Sequence, residues 1–411
     1  MKAEFTSAAL ALVGACTQAH GHADASAEQA VAGVVAPRWE RLPTQVVGCD
    51  VERLVDPRAH DLFEWRACAG APECSEAVWN AALVGHDGEI GRRSSVDDDG
   101  HDVRVAVRWD SDEAGQAGVF VTDAEGRIAL GLRVTTAGAC NINAPSIAHG
   151  RFGVLVMHAA EGAAPLREGG LLAALDRLEV LAPFELDPLP KGSGPDAVAL
   201  GTSRWAWRFS PERLVAFAND DGSDARVVAE RDASLRMLGP PSATGPAFLF
   251  DMFELDESGR AVAHVGRSDG HAPPEHFIAG TADAWVGAAR FAHSHIAWLR
   301  GLEPSGGSAF ARVELWAAPY TDDAGALAPV RIGELDTPVW SPIGAGWGRY
   351  AIAGATPTEL QVFALADATR TRIALPDGHT FAAAAGLTRD ALWIVPELHD
   401  SPQRGLLRIT L

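Results

Sequence analysis

The sequence predicts an all-β fold: a β-propeller of six to eight four-stranded blades, seven by the count of strand starts. Three observations predict it. Short stretches alternate apolar and polar residues with the period of two that a half-buried strand requires, as at Val103, Val105 and Val107 against Arg104 and Arg108. Gly-bearing turns join such stretches into hairpins, around Asp123 to Gly126 and Asp256 to Gly259. Strand starts at Val103, Phe152, Leu214, Phe248, Ile296, Tyr350 and Leu392 stand on average about 48 residues apart, the length of one blade.

The bulk composition supports a packed body. Of 411 residues, 47% are hydrophobic and 21% charged, a balance that buries a core instead of remaining disordered. The net charge of -20, with lysine only at positions 2 and 191, excludes a nucleic-acid or anionic-membrane surface, which needs clustered cations. No run reaches the roughly 18–20 apolar residues of a membrane-spanning helix.

In chain order, the first element is the apolar run Phe5 to Ala15, which ends on Cys16. Its length is that of a signal-peptide hydrophobic region. Val13-Gly14-Ala15-Cys16 resembles a bacterial lipobox, which implies that residues 1–15 are a signal peptide and that the thiol of Cys16 carries a lipid. An ordinary secretory signal cut after Ala23-Asp24-Ala25 and a plain N-terminal core helix are the alternatives. Residues 16–40 are small, polar and Ala-rich without an apolar period, and read as a flexible tether. His20-Gly21-His22 belongs to it. Residues 41–411 then form a single propeller domain.

Setting Cys16 aside leaves four cysteines, Cys49, Cys68, Cys74 and Cys140, confined to the 41–140 region. An even set suits structural disulfides in an oxidising compartment, and three pairings exist. The short loop CAGAPEC favours Cys68 with Cys74, leaving Cys49 with Cys140. No C-x-x-C spacing points to a metal. The stretch around these residues reads as decorated first blades or a small cap, and Leu171, Leu175 and Leu178 fit a helix as well as a strand pair.

Two segments share an aromatic, a Ser-Pro, a polar turn and an apolar strand. They are Phe209-Ser210-Pro211 before Leu214 to Phe217, and Trp340-Ser341-Pro342 before Tyr350 to Ile352. Fainter copies are IAHGRFGVLVMHA, ARFAHSHIAWLRG and GLTRDALWIVPEL. These resemble the repeats of TolB-type β-propellers, over residues 140–411. The resemblance implies a binding platform facing the periplasm or cell surface. A pair of β-sandwiches is the rival architecture.

Chemistry is sparse. There is no G-x-S-x-G elbow, H-E-x-x-H, P-loop or dinucleotide fingerprint, and Gly344 to Gly348 reads as a turn. Asp97 and Asp99, in Ser95 to Gly100, resemble half of a calcium loop, but Ala106 stands where the closing Glu belongs. A solvated acidic turn is the plainer reading, as it is for Asn219 to Gly222. His293 and His295, at strand spacing, are placed to share one side, toward an axial channel; His271 and His276 are a second pair. The expectation is a non-catalytic lipoprotein without a cofactor, held to the cell envelope, in the outer membrane, through its lipid alone and binding a protein or glycan partner. The alternative is a secreted hydrolase or lyase with its site at the channel mouth, for which convergent His and carboxylate groups in a ligand-sized axial pocket are the mark.

Overall fold

The computed structural model describes residues 36–411 apart from 85–88, 111–115, 136–139, 159–166, 186–193, 211–213, 220–222, 225, 230–236, 239–241, 244–246, 306–308, 336–340, 354–357 and 399–404. Residues 1–35, which include Cys16 and His20-Gly21-His22, lie outside the described residues.

The described strands form seven antiparallel sheets in chain order. The first runs from its inner strand Glu89–Asp98 through Val103–Asp110, Gln116–Asp123 and Ile128–Thr135, and is extended outward by Val51–Leu54 and Trp39–Arg41. The second is Cys140–Ala148, Arg151–His158, Arg167–Ala174 and Ala182–Glu185. The third is Gly194–Leu200, Arg204–Ser210, Leu214–Asn219 and Arg226–Ala229. In the fourth, two short pieces, Met237–Leu238 and Ser242–Ala243, both pair with Phe248–Leu255, followed by Ala261–Ser268 and Glu275–Ile278. The fifth is Ala284–Ala292, His295–Ser305, Ala309–Pro319 and Val330–Leu335; the sixth is Ser341–Gly346, Arg349–Ala353, Glu359–Ala364 and Arg370–Ala374. The seventh is His379–Leu387, Ala391–Leu398 and Leu407–Thr410, completed by Ala71–Trp79 and Phe63–Cys68 from the start of the domain.

Each inner strand packs against the inner strand of the next sheet, and His379–Leu387 returns to Glu89–Asp98, so the seven make a circuit of neighbours. An inner strand is an edge: the groups on its axial side pair with no further strand, which is where Pro is tolerated. Pro145, Pro195 and Pro342 all stand on inner strands, beside register shifts. Bulges also interrupt the pairing of the first, fifth and seventh inner strands, adding the local twist that winds a sheet about an axis.

Between neighbouring sheets lie apolar layers. Ala106, Val119, Val121 and Leu132 of the first sheet meet Ile142, Phe152, Val154 and Leu171 of the second. Val105, Val107 and Phe120, on the opposite face of the first sheet, meet Trp393 and Val395 of the seventh, with Phe63 and Ala77. Val103–Asp110 is thus covered on both faces, not half-buried as its alternation predicts; Ala106 lets the second face close. At the seam, a Cβ on Gly386 would approach Val96 Cβ to 3.0 Å, so glycine there lets the last inner strand lie against the first.

Several expectations are refined. The CAGAPEC region is neither a first blade nor a cap: it is the outer hairpin of the last sheet, with Cys74 in register with Ile409. Trp65 stacks edge-on against Trp393 at 5.4 Å, and Arg408 lies over Trp65 at 4.5 Å. The first strand begins at Trp39, inside the stretch read as tether, because Trp39 packs on Phe120 at 6.1 Å and under Arg133 at 4.5 Å. Leu171 belongs to a strand, and Leu175–Arg177 is a single 3-10 turn. Six of the seven strand starts mark the second strand of successive sheets, whereas Leu214 marks a third. Its counterpart is Trp205, and with it the uneven intervals of 62 and 34 residues become 53 and 43. The two Ser-Pro segments are therefore not equivalent, since Ser210 ends a second strand and Ser341-Pro342 opens an inner one.

Candidate functional site

Antiparallel hairpins joined by two residues need positive φ at the turn, and three inner hairpins meet that need differently. His149-Gly150 joins the first two strands of the second sheet with φ of 54° and 69°; Trp347-Gly348 does so in the sixth with 51° and 69°. His293, at 64°, opens the corresponding turn of the fifth. These tips, with the end of Glu89–Asp98 and the residues Gly386 and Leu387, line a cavity of about 780 Å³ at one end of the circuit of inner strands. Its size lies in the range of small-ligand pockets, roughly 300–1,000 Å³.

The wall on the first sheet is built by strand alternation. Ser95 and Asp97 face the second sheet: Ser95 Oγ meets the backbone of Ile147 at 3.2 Å, and the Gly150 N–H donates to Asp97 Oδ2 at 3.2 Å. Val96 and Asp98 face the seventh: Val96 lies on Gly386, and Asp98 Oδ2 accepts the Arg389 backbone N–H at 2.7 Å, with the Arg389 guanidinium 3.6 Å from Oδ1. Asp98 also accepts the Gly100 N–H at 2.9 Å. Asp99 caps its own turn, accepting the N–H groups of His101 at 2.8 Å and Asp102 at 2.9 Å.

The environments separate these groups. Burial raises the Asp97 carboxyl above its ordinary range, only partly offset by the Gly150 N–H and the nearby His149. The backbone donors of Asp102 and His101 lower Asp99, which is exposed. Partial desolvation lowers His149, against the pull of Asp97, although the residue as a whole is exposed. Opposite, His293 lies against Trp347 with ring centroids 4.3 Å apart, and Arg389 covers Trp347 at 5.1 Å. Arg290 is half-buried and donates to the Ala289 carbonyl at 2.8 Å; its other N–H groups make no hydrogen bond among the described residues.

Asp97 and Asp99 both border the cavity, but among the described residues they belong to no cluster of three metal-ligating side chains. Among the described residues the cluster with metal-ligating composition lies elsewhere: Glu254, His264 and His276 on adjacent strands of the fourth sheet. Both imidazole Nε2 atoms stand 3.2 Å from Glu254 Oε1. Two features fit hydrogen bonding and not coordination. The Gly280 N–H donates to His264 Nδ1 at 3.1 Å, which puts the proton of the neutral ring on Nε2. The rings also stack, centroids 4.1 Å apart and planes 12° from parallel, so their in-plane lone pairs do not aim at one point. His271, paired with His276 by sequence, instead stands 3.9 Å from Asp224.

His293 and His295 do not act together: His293 borders the cavity, while His295 Nδ1 lies 3.1 Å from Ser294 Oγ. His149, Arg290 and Trp347 are site residues that the sequence does not single out. The available signal is the repeated turn itself, since the three fainter repeat copies and the Trp340-Ser341-Pro342 segment each span one inner hairpin. Disulfides link Cys49 to Cys140 and Cys68 to Cys74, with Cα atoms 5.8 and 5.3 Å apart.

No family model and no curated protein matches the chain. Among solved structures, the β-propeller domain of the Trilobed protease from Pyrococcus furiosus is similar at 9% identity and a TM-score of 0.50, over 78% of this chain and 94% of that one. This chain is a β-propeller. The propeller also resembles puromycin hydrolase (16% identity, TM-score 0.47, 77% of this chain and 51% of that one) and TolB from Acinetobacter baumannii (10%, 0.36, 71% and 81%). The Pyrococcus domain is described as having an open velcro topology, whereas here Ala71–Trp79 pairs with Leu407–Thr410 and ties the ends of the propeller together.

Proposed function

We propose that the protein is a binding propeller, held at the cell envelope by a lipid on Cys16, that takes a protein or glycan ligand at the axial cavity without chemical turnover. The observation that carries this reading is the construction of the cavity wall. Its carboxylates are fixed by backbone donors and Arg389, and its tips are set by positive-φ turns, so binding orders little that is not already ordered. Among the described residues no nucleophile in the cavity is held by a base that is in turn oriented by a carboxylate: Ser294 meets His295 alone. Capture of a partner from native envelope by the wild-type chain, lost in Arg290→Ala/His293→Ala with unchanged thermal stability, supports the reading; capture unaffected by these changes overturns it. The anchor is tested separately by Cys16→Ser, which is expected to abolish palmitate labelling and membrane association.

A second reading is favoured by one observation. Asp97 and His149 face one cavity with their proton affinities shifted toward each other, the direction that favours a protonated carboxyl beside a neutral imidazole. This is the mark set for a hydrolase or lyase, and product formation lost in both Asp97→Asn and His149→Ala distinguishes it from binding alone.

A further inference from the structure

Assigning a ligand class rests on the reading of the axial cavity as a binding site, which by itself leaves that class open. The cavity wall mixes polar and apolar groups, and its charges cancel locally. Asp98 is paired with Arg389, and burial holds Asp97 toward its neutral form. Partial desolvation favours neutral His149, and exposed Asp99 shares the cavity with Arg290. This balance stands out in a chain of net charge -20.

A ligand carrying one dominant charge gains little here. An anion meets Asp99 as well as Arg290, and a cation meets the reverse. A group that donates and accepts hydrogen bonds at the same atom uses such a wall fully, and the hydroxyl is that group. Arg290 donates, Asp99 accepts, and Asp97, Ser242 and Ser294 are able to do either. Phe291 and the edge of the His293–Trp347 pair add planar apolar surface, suited to the C–H faces of a ring. We infer that the axial cavity binds the end of a neutral saccharide chain, with Arg290 and Asp97 hydrogen-bonding its hydroxyls and the rings of Phe291 and His293 bordering its apolar face.

The test uses the full chain and three kinds of probe: a panel of neutral tri- to pentasaccharides, a trimeric uronate, and spermidine. Binding is followed by saturation-transfer NMR and calorimetry in the wild type, Arg290→Ala, Arg290→Lys, Asp97→Asn, and the remote control His276→Ala. At least one neutral oligosaccharide is expected to bind, with affinity reduced tenfold or more in Arg290→Ala and unchanged in His276→Ala. Arg290→Lys keeps the charge but loses the planar fork, and is expected to weaken binding too. Retention of all variants' thermal unfolding separates lost contacts from lost fold. Binding of uronate or spermidine alone, abolished by the same cavity changes, overturns the saccharide assignment and leaves the cavity as the binding site. If no probe binds but envelope capture still depends on Arg290 and His293, the assignment falls in favour of a protein partner. If neither probes nor capture respond to any cavity variant, the assignment and the reading beneath it both fall.

Discussion

Arg389, in the turn between the first two strands of the last sheet, and Asp98, in the first sheet, clasp the two ends of the propeller beside the axial cavity, through a backbone N–H bond of 2.7 Å and a guanidinium contact of 3.6 Å. The two partners are unequal. The Asp98 side chain is 2% exposed and the Arg389 side chain 49%. Truncating Asp98 removes the acceptor of two backbone N–H groups, from Gly100 and Arg389, as well as the guanidinium contact. Asp98→Ala is therefore expected to cost about 1–3 kcal/mol and to lower the thermal midpoint, while Arg389→Ala, which leaves both backbone bonds in place, costs less. Calorimetric unfolding of the two variants checks the order; equal effects would show that the guanidinium carries the clasp.

Gly153 in the second sheet marks a different constraint. A Cβ there would run into the ring of Trp205, which is fully buried in the neighbouring sheet. Because Trp205 is enclosed, its ring has little room to retreat. Gly153→Ala is expected to destabilise by about 1–3 kcal/mol through overpacking, and Trp205→Phe in the same chain to recover part of the loss. Denaturant melts of the single and double variants measure the coupling.

Repeats of one supersecondary unit leave a periodic trace, so the architecture is legible from strand starts, hairpin turns and their spacing. The phase is less legible: Leu214 occupies the place of Trp205 in the sequence count because Ser-Pro recurs at non-equivalent places, ending one strand and opening another. The closing hairpin is hidden for a related reason. Phe63 to Trp79 reads locally as any strand pair, and its register with Leu407–Thr410 is set by contacts more than 300 residues away. The cavity leaves no local motif because its members, His149, Arg290 and Trp347, come from separate sheets and share only their position at a turn or strand end.

The two disulfides differ in what they restrain. Cys49 and Cys140 are separated by 91 positions, Cys68 and Cys74 by 6. In the chain-entropy account the longer loop stabilises by about 4–5 kcal/mol and the shorter by about 2 kcal/mol. Replacing Cys49 and Cys140 together by Ala is expected to lower the thermal midpoint more than replacing Cys68 and Cys74. The second pair still matters locally, because it pins the hairpin that completes the last sheet. Its removal is expected to speed hydrogen exchange in Ala71–Trp79 before global unfolding, and exchange unchanged there would separate the disulfide from the closure.

Glu168 is the clearest source of pH-dependent stability. Its side chain is fully buried on Arg167–Ala174 and both carboxyl oxygens lack a hydrogen-bond partner among the described residues. Burial pushes its carboxyl up to about 8 from an ordinary value near 4.5. The folded protein therefore holds this proton at neutral pH, while the unfolded chain releases it above about pH 4.5. Its contribution is most favourable below that value and is lost progressively as pH rises toward 8. At pH 7 the difference corresponds to about 3 kcal/mol. Glu168→Gln keeps the shape without the ionisable proton, so it is expected to raise stability at about pH 7–8 and to change it little at about pH 4–5. Thermal melts of the wild type and variant across about pH 4–9 measure this. A difference between the two that does not grow with pH would mean that the Glu168 carboxyl has found a partner or water.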